Sequence, residues 1–95
     1  MSNEVKRIVP RIPVLKEREK THGSYVHVAN LAQNLKTEYR KYSGWTSLNS
    51  RQQESLDLIA TKIARILNGN PNEIDHWKDI AGYATLVVEI FERKS

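Results

Sequence analysis

The stretch IARILNGNPNEIDHW, residues 63–77, decides the fold. Asn68-Gly69 is a helix stop, because glycine takes the left-handed turn that ends a helix without steric cost. Asn70-Pro71-Asn72-Glu73 follows at once and reads as a helix start: a side-chain cap, proline at the first helical position and glutamate at the third. One helix ends and another begins within a few residues, so the chain must double back as a helical hairpin.

Upstream, the spacing predicts a helix over 50–68. Ser50 and Gln53 have capping-box spacing, and Leu56, Ile59, Ala60, Ile63, Ile66 and Leu67 form its apolar face. Downstream, a helix is expected over 71–93. At 100° per residue Trp77, Ile80, Ala81, Ala84, Val87, Val88 and Phe91 cover one face, and Asp75, Asp79, Tyr83, Leu86 and Ile90 form a second strip. A helix of a three-helix monomer has one polar face. Two faces to hide point to completion by oligomerisation. Gly82, in mid-helix, costs about 1 kcal/mol relative to alanine and would suit a close backbone approach.

Earlier still, Tyr25, Val28, Ala32, Leu35, Tyr39 and Tyr42 recur every three or four residues behind Ser24, a good cap, which predicts a helix over 24–43 stopped by Gly44. Trp45 and Leu48, in the loop that follows, can plug the open end of the core. Residues 14–21 can form a short helix ended by His22-Gly23. The first residues, with Pro10 and Pro13 among alternating Ile, Val and Arg, read as an extended basic arm. The expected organisation is an arm over 1–20 and a helical domain over 21–95, all-α, with three main helices.

Ninety-five residues make one small domain. There is no cysteine, which excludes disulfides and thiolate metal sites. No apolar run approaches the ~20 residues of a membrane span, and the first residues lack the apolar core of a secretion signal. A soluble protein of the bacterial cytoplasm is expected. Net charge is +4 but unevenly placed: residues 1–35 and 36–51 each carry +3, and residues 52–95 carry −2. A basic first half suits phosphates or an acidic partner, or simply a solvated surface.

Acidic pairs are the main candidates for chemistry. Glu54 and Asp57 share a face of one helix, and Asp75 and Asp79 share a face of the next. Four carboxylates gathered out of water would repel one another unless a cation joined them, and oxygen-only ligands favour Mg²⁺ or Mn²⁺. Within one hairpin the pairs lie ~15 Å apart along the helices, so a crossing angle or a second subunit would have to close the gap. The alternative is plain: acidic residues near helix starts stabilise the dipole by about 0.3–1 kcal/mol each. Lys62 and Arg65 can bind phosphate or pair with Asp79 and Asp75. Tyr25, Trp45, Trp77 and Tyr83 can stack on a base or fill the core. His22, His27 and His76 show no metal-ligand spacing. No Gly-rich phosphate loop or nucleophile motif is present.

Two segments, REKTHGSYVHVANLAQNLK (18–36) and ESLDLIATKIARILNGNPNEIDHWKDIAGYATLV (54–87), together resemble an uncharacterised family of small proteins encoded by phages and prophages. More distantly the pattern is similar to the all-α nucleoside triphosphate pyrophosphatases of the MazG and dimeric dUTPase type. Those are helical oligomers that bind Mg²⁺ through acidic pairs on two helices. The resemblance implies Glu54, Asp57, Asp75 and Asp79 as metal ligands. It also implies Lys62 and Arg65 as basic positions between them, and a substrate site is expected from Lys20, His22, Tyr25, Lys62, Arg65 and Tyr83. Two departures stand out: Glu-Ser-Leu-Asp replaces the usual Glu-x-x-Glu, and the second pair is spaced by four. The expectation is therefore a nucleotide-binding or Mg²⁺-dependent pyrophosphatase-like protein acting as a homo-oligomer. The alternative is a non-catalytic phage effector that modulates a host defence or replication enzyme. A third reading is nucleic-acid binding through Lys6, Arg7, Arg11, Lys36, Arg40 and Lys41, with Arg51 beside them, which must weaken steeply with salt.

Overall fold

The computed structural model describes residues 13–94. Most of the expected arm, with Lys6, Arg7 and Arg11, lies outside the described residues. Four helices follow: α1 (Pro13–His22), α2 (Tyr25–Arg40), α3 (Ser50–Asn68) and α4 (Ile74–Lys94), with a 3-10 turn at Ser43–Ser47 between α2 and α3. No strand occurs among the described residues, so the fold is all-α as expected. None of the described helices is long and apolar enough to cross a membrane.

Each boundary has a local cause. Gly23 ends α1 with a left-handed backbone, φ 84°, and its N–H donates to the Glu19 carbonyl at 2.9 Å. Ser24 stands at the cap position of α2, where its carbonyl accepts from Val28 N–H, but its side chain makes no capping bond. The helix ends at Arg40, short of the expected residue 43. Lys41 and Tyr42 donate back only three residues, to Glu38 and Tyr39, and the chain turns so that Trp45 can pack on Tyr39, ring centroids 5.1 Å apart. At the start of α3 the capping box is Asn49 with Gln52, one residue before the expected pair. Asn49 accepts from Gln52 N–H, and Gln52 accepts from Asn49 N–H, both at 2.9 Å. Gln53 instead donates to the Trp45 carbonyl.

The Asn-Pro signal makes a turn rather than the first turn of α4. Asn70 accepts from Glu73 N–H through its carbonyl and from Asn72 N–H through its side chain, so its cap is spent inside the loop. α4 therefore starts at Ile74, not Pro71.

α2 runs antiparallel to α3, and α3 antiparallel to α4: Tyr39 meets Asp57, Ser55 meets Tyr83, and Lys62 meets Asp79. α3 lies between the other two, which share no packed interface. Among the described residues the buried apolar ones are few: Val28, Ala32, Ala60, Ala64 and Ile66. Alanines at 32, 60 and 64 let α2 and α3 approach closely, but they bury little area, and apolar burial stabilises by about 25 cal/mol per Å².

α4 is rotated from the expected orientation. His76, Ile80, Tyr83, Val87 and Ile90 carry the packed face, and Trp77, Ala81, Ala84, Val88 and Phe91 face water. Both expected strips are thus split. The cause is His76, whose burial fixes which side of the helix turns inward. A Cβ at Gly82 would meet nothing within 4 Å among the described residues, so none of them makes the close approach expected there.

Candidate functional site

His22 and His76 are 54 residues apart in the chain and come together. Their rings meet edge to face, centroids 4.7 Å apart. His76 is only 1% exposed and is the one large side chain fully buried among the described residues. Its Nε2 donates to the Thr21 carbonyl at 2.9 Å, and Asn70 N–H donates to the same oxygen at 3.0 Å. Thr21 Oγ1 is also hydrogen-bonded to His22 Nδ1. Two glycines allow the crossing. A Cβ at Gly23 would collide with the Asn68 backbone, and one at Gly69 with the Thr21 carbonyl. Lys-Thr-His-Gly, Asn-Gly-Asn and Asp-His-Trp thus form one joint, in which the end of α1 is tied to the α3–α4 hairpin.

Beside this joint lies a cleft of about 450 Å³ between α1, α2 and α3. Its floor is Gly23, Val28, Ala29 and Ala32, and its walls include His22, Tyr25, Lys36 and Arg65, with Glu19 at the edge. Tyr25 is 80% exposed. Of the six residues expected at a substrate site, His22, Tyr25 and Arg65 are brought together. Lys20 is exposed and pairs with Glu17, Lys62 is buried on the side of α3 that meets α4, and Tyr83 lines a separate groove. Lys36, expected to contact nucleic acid, joins the cleft instead. Sequence spacing alone does not reveal this, because Lys36 and Arg65 sit on different helices.

The four carboxylates do not gather within the chain. Asp57 accepts from the Tyr39 hydroxyl and from Arg40 Nη2, the latter at 2.7 Å. The Arg40 guanidinium lies 5.4 Å from the centroid of the Trp45 ring, so Tyr39, Arg40, Trp45 and Asp57 make one cluster joining α2, the 3-10 turn and α3. Burial, then the hydrogen bond to Asp57 and its charge, push the Tyr39 hydroxyl well above the ordinary phenol range. Asp79 pairs with Lys62 at 2.7 Å, and that hydrogen bond holds its carboxyl below the usual value, against a smaller upward push from desolvation. The expected Lys62–Asp79 pair is therefore present, while no ion pair joins Arg65 to Asp75. Asp75 is exposed in the first turn of α4.

Glu54 lines the other groove, about 900 Å³, with Arg51, Glu89, Arg93, Leu58, Tyr83, Leu86 and Ile90. Its charges balance, two arginines against two glutamates. Among the described residues no three His, Asp or Glu side chains are placed to hold a metal ion. The physical reason is visible at two of the four positions: Asp57 and Asp79 are already neutralised by cations of the chain itself. Of the basic residues expected to meet nucleic acid, Arg40 is committed to Asp57 and Lys41 pairs with Glu38 at 3.2 Å.

Comparison with known proteins adds one match. No curated protein matches the chain, and no solved structure matches it. The likeness to MazG-type pyrophosphatases and to phage proteins therefore rests on the sequence pattern alone. The model of a domain of unknown function, DUF6378, matches residues 11–91, a span that takes in the joint, the cleft and both hairpin helices, and the chain belongs to that family.

Proposed function

We propose that the α1–α2–α3 cleft binds a nucleotide, with its phosphates held by Arg65 and Lys36. The observation that carries this reading is the convergence of His22, Tyr25, Lys36 and Arg65 on one cleft with a floor of small residues. A volume of about 450 Å³ suits a small ligand. Arginine offers two parallel N–H donors to a phosphate, and lysine adds a point charge. Against these two cations stands one carboxylate, Glu19, so the cleft favours an anion. Tyr25 holds a large aromatic ring in water at the mouth, where a base can stack on it for about 1–3 kcal/mol. The larger groove has balanced charge and a mostly apolar lining, which suits an anionic ligand less.

Binding is the core of this reading; Mg²⁺-dependent hydrolysis would be an extension of it. That extension needs a second copy to bring Glu54, Asp57, Asp75 and Asp79 together. It also needs Asp57 to leave Tyr39 and Arg40, and Asp79 to leave Lys62.

A thermal-shift screen of nucleoside mono-, di- and triphosphates, with and without Mg²⁺, tests the proposal. A ligand that binds only the folded chain stabilises it by about 2.7 kcal/mol at a hundred times its Kd. At least one nucleotide should raise the melting temperature, and Arg65→Ala should weaken its binding tenfold or more. No shift with any nucleotide at millimolar concentration would refute the proposal.

A further inference from the structure

The α3–α4 hairpin has two flanks. The groove with Leu58, Leu86 and Ile90 opens on one of them. The helical period therefore sets Leu56, Ile59, Ile63 and Leu67 of α3 on the other, together with Trp77, Ala81, Ala84, Val88 and Phe91 of α4. Leu56, Ile63, Leu67, Trp77 and Val88 are all exposed there; Trp77 is 53% and Leu67 68% accessible. Neither α2 nor any other described element covers this face.

We infer that a second copy of this chain covers it, hairpin against hairpin, giving a four-helix arrangement at the interface. Two observations single out a second copy. The first is shape: two antiparallel helices with apolar residues every three or four positions are half of a four-helix bundle, and a copy supplies the other half. The second is extent. The face is two helices wide, about 19 Å, and about 28 Å long, or roughly 500 Å² per copy. Two copies together bury about 1,000 Å², the lower limit for a specific interface, whereas such a patch is at the upper end for a monomer. The small side chains Ala81 and Ala84 are exposed on this face, where the helices of two copies can approach closely.

This inference is independent of the ligand proposed for the cleft, which lies elsewhere on the molecule.

Sedimentation equilibrium of the full chain at about 50 µM tests it. The expected mass is twice the 11.0 kDa of one chain. Ala84→Arg, at an exposed site that a monomer tolerates, should return the mass to one chain with an unchanged helical circular dichroism spectrum. A monomeric wild type, or a dimer indifferent to Ala84→Arg, would overturn the inference.

Discussion

Replacing His76 with alanine should destabilise the fold more than any other single truncation, because the joint it occupies stands in for a large core. The side chain is 1% exposed, packs against the His22 ring and donates to the Thr21 carbonyl. Removing a buried ring costs about 3–5 kcal/mol when the site cannot collapse. The lost hydrogen bond adds only about 1 kcal/mol, since Asn70 N–H still serves the same carbonyl. α1 can swing inward to fill part of the cavity, so about 3 kcal/mol is expected. A domain of this length has roughly 5–10 kcal/mol in all, so that loss would lower the melting temperature by about 12–24 °C. The assay is urea unfolding followed by circular dichroism, with the midpoint falling and the slope unchanged. His76→Phe separates the contributions: it keeps most of the ring volume and loses only the hydrogen bond, so its cost should be near 1 kcal/mol. A loss below 1 kcal/mol for His76→Ala would refute the view that this joint holds α1 to the hairpin.

Four further outcomes follow from the same coordinates. Gly23→Ala should cost at least 1 kcal/mol in the same unfolding assay, because its φ of 84° and the Asn68 backbone both oppose a side chain. Gly82→Ala should stabilise by about 0.5–1 kcal/mol, since a Cβ there meets nothing and alanine is the better helix former. The raised Tyr39 hydroxyl makes a signed pH prediction. Its stabilisation is complete below the ordinary value of 10.0 and falls away as the pH climbs above that, so Tyr39→Phe should flatten the alkaline limb of the stability profile. Asp79 works in the opposite sense: its contribution is present above the ordinary carboxylate range and is lost on acidification below it, and Asp79→Asn should remove that acid dependence.

Much of the architecture is legible in the residues. Helical period in α2, α3 and α4, and the stop at Asn68-Gly69, follow from spacing and local steric preference. Boundaries depart from the spacing wherever a side chain has a competing partner. Asn70 has the residue type of a helix cap but turns its bonds into the loop, and Asn49 takes the capping role expected of Ser50. The orientation of α4 depends on His76, whose inward position needs Thr21 from the other end of the chain. No periodicity carries that information.

The candidate site shows the same division. Residue types at Glu54, Asp57, Asp75 and Asp79 suggest a cation, but Arg40 and Lys62 reach two of them first, and only the packing of α2 and α4 on α3 brings those cations there. In the other direction, Lys36 and Arg65 come to line one cleft because α2 and α3 pack side by side. Their sequence neighbours give no sign of it.

The most direct test of the proposed ligand site is a ¹⁵N–¹H correlation spectrum titrated with the nucleotide that gives the largest thermal shift. Binding in the cleft predicts that the amides of His22, Gly23, Tyr25, Ala29, Ala32, Lys36 and Arg65 move together with one saturation curve. Amides that stay fixed there while those of Leu58, Leu86 and Ile90 move would contradict the account.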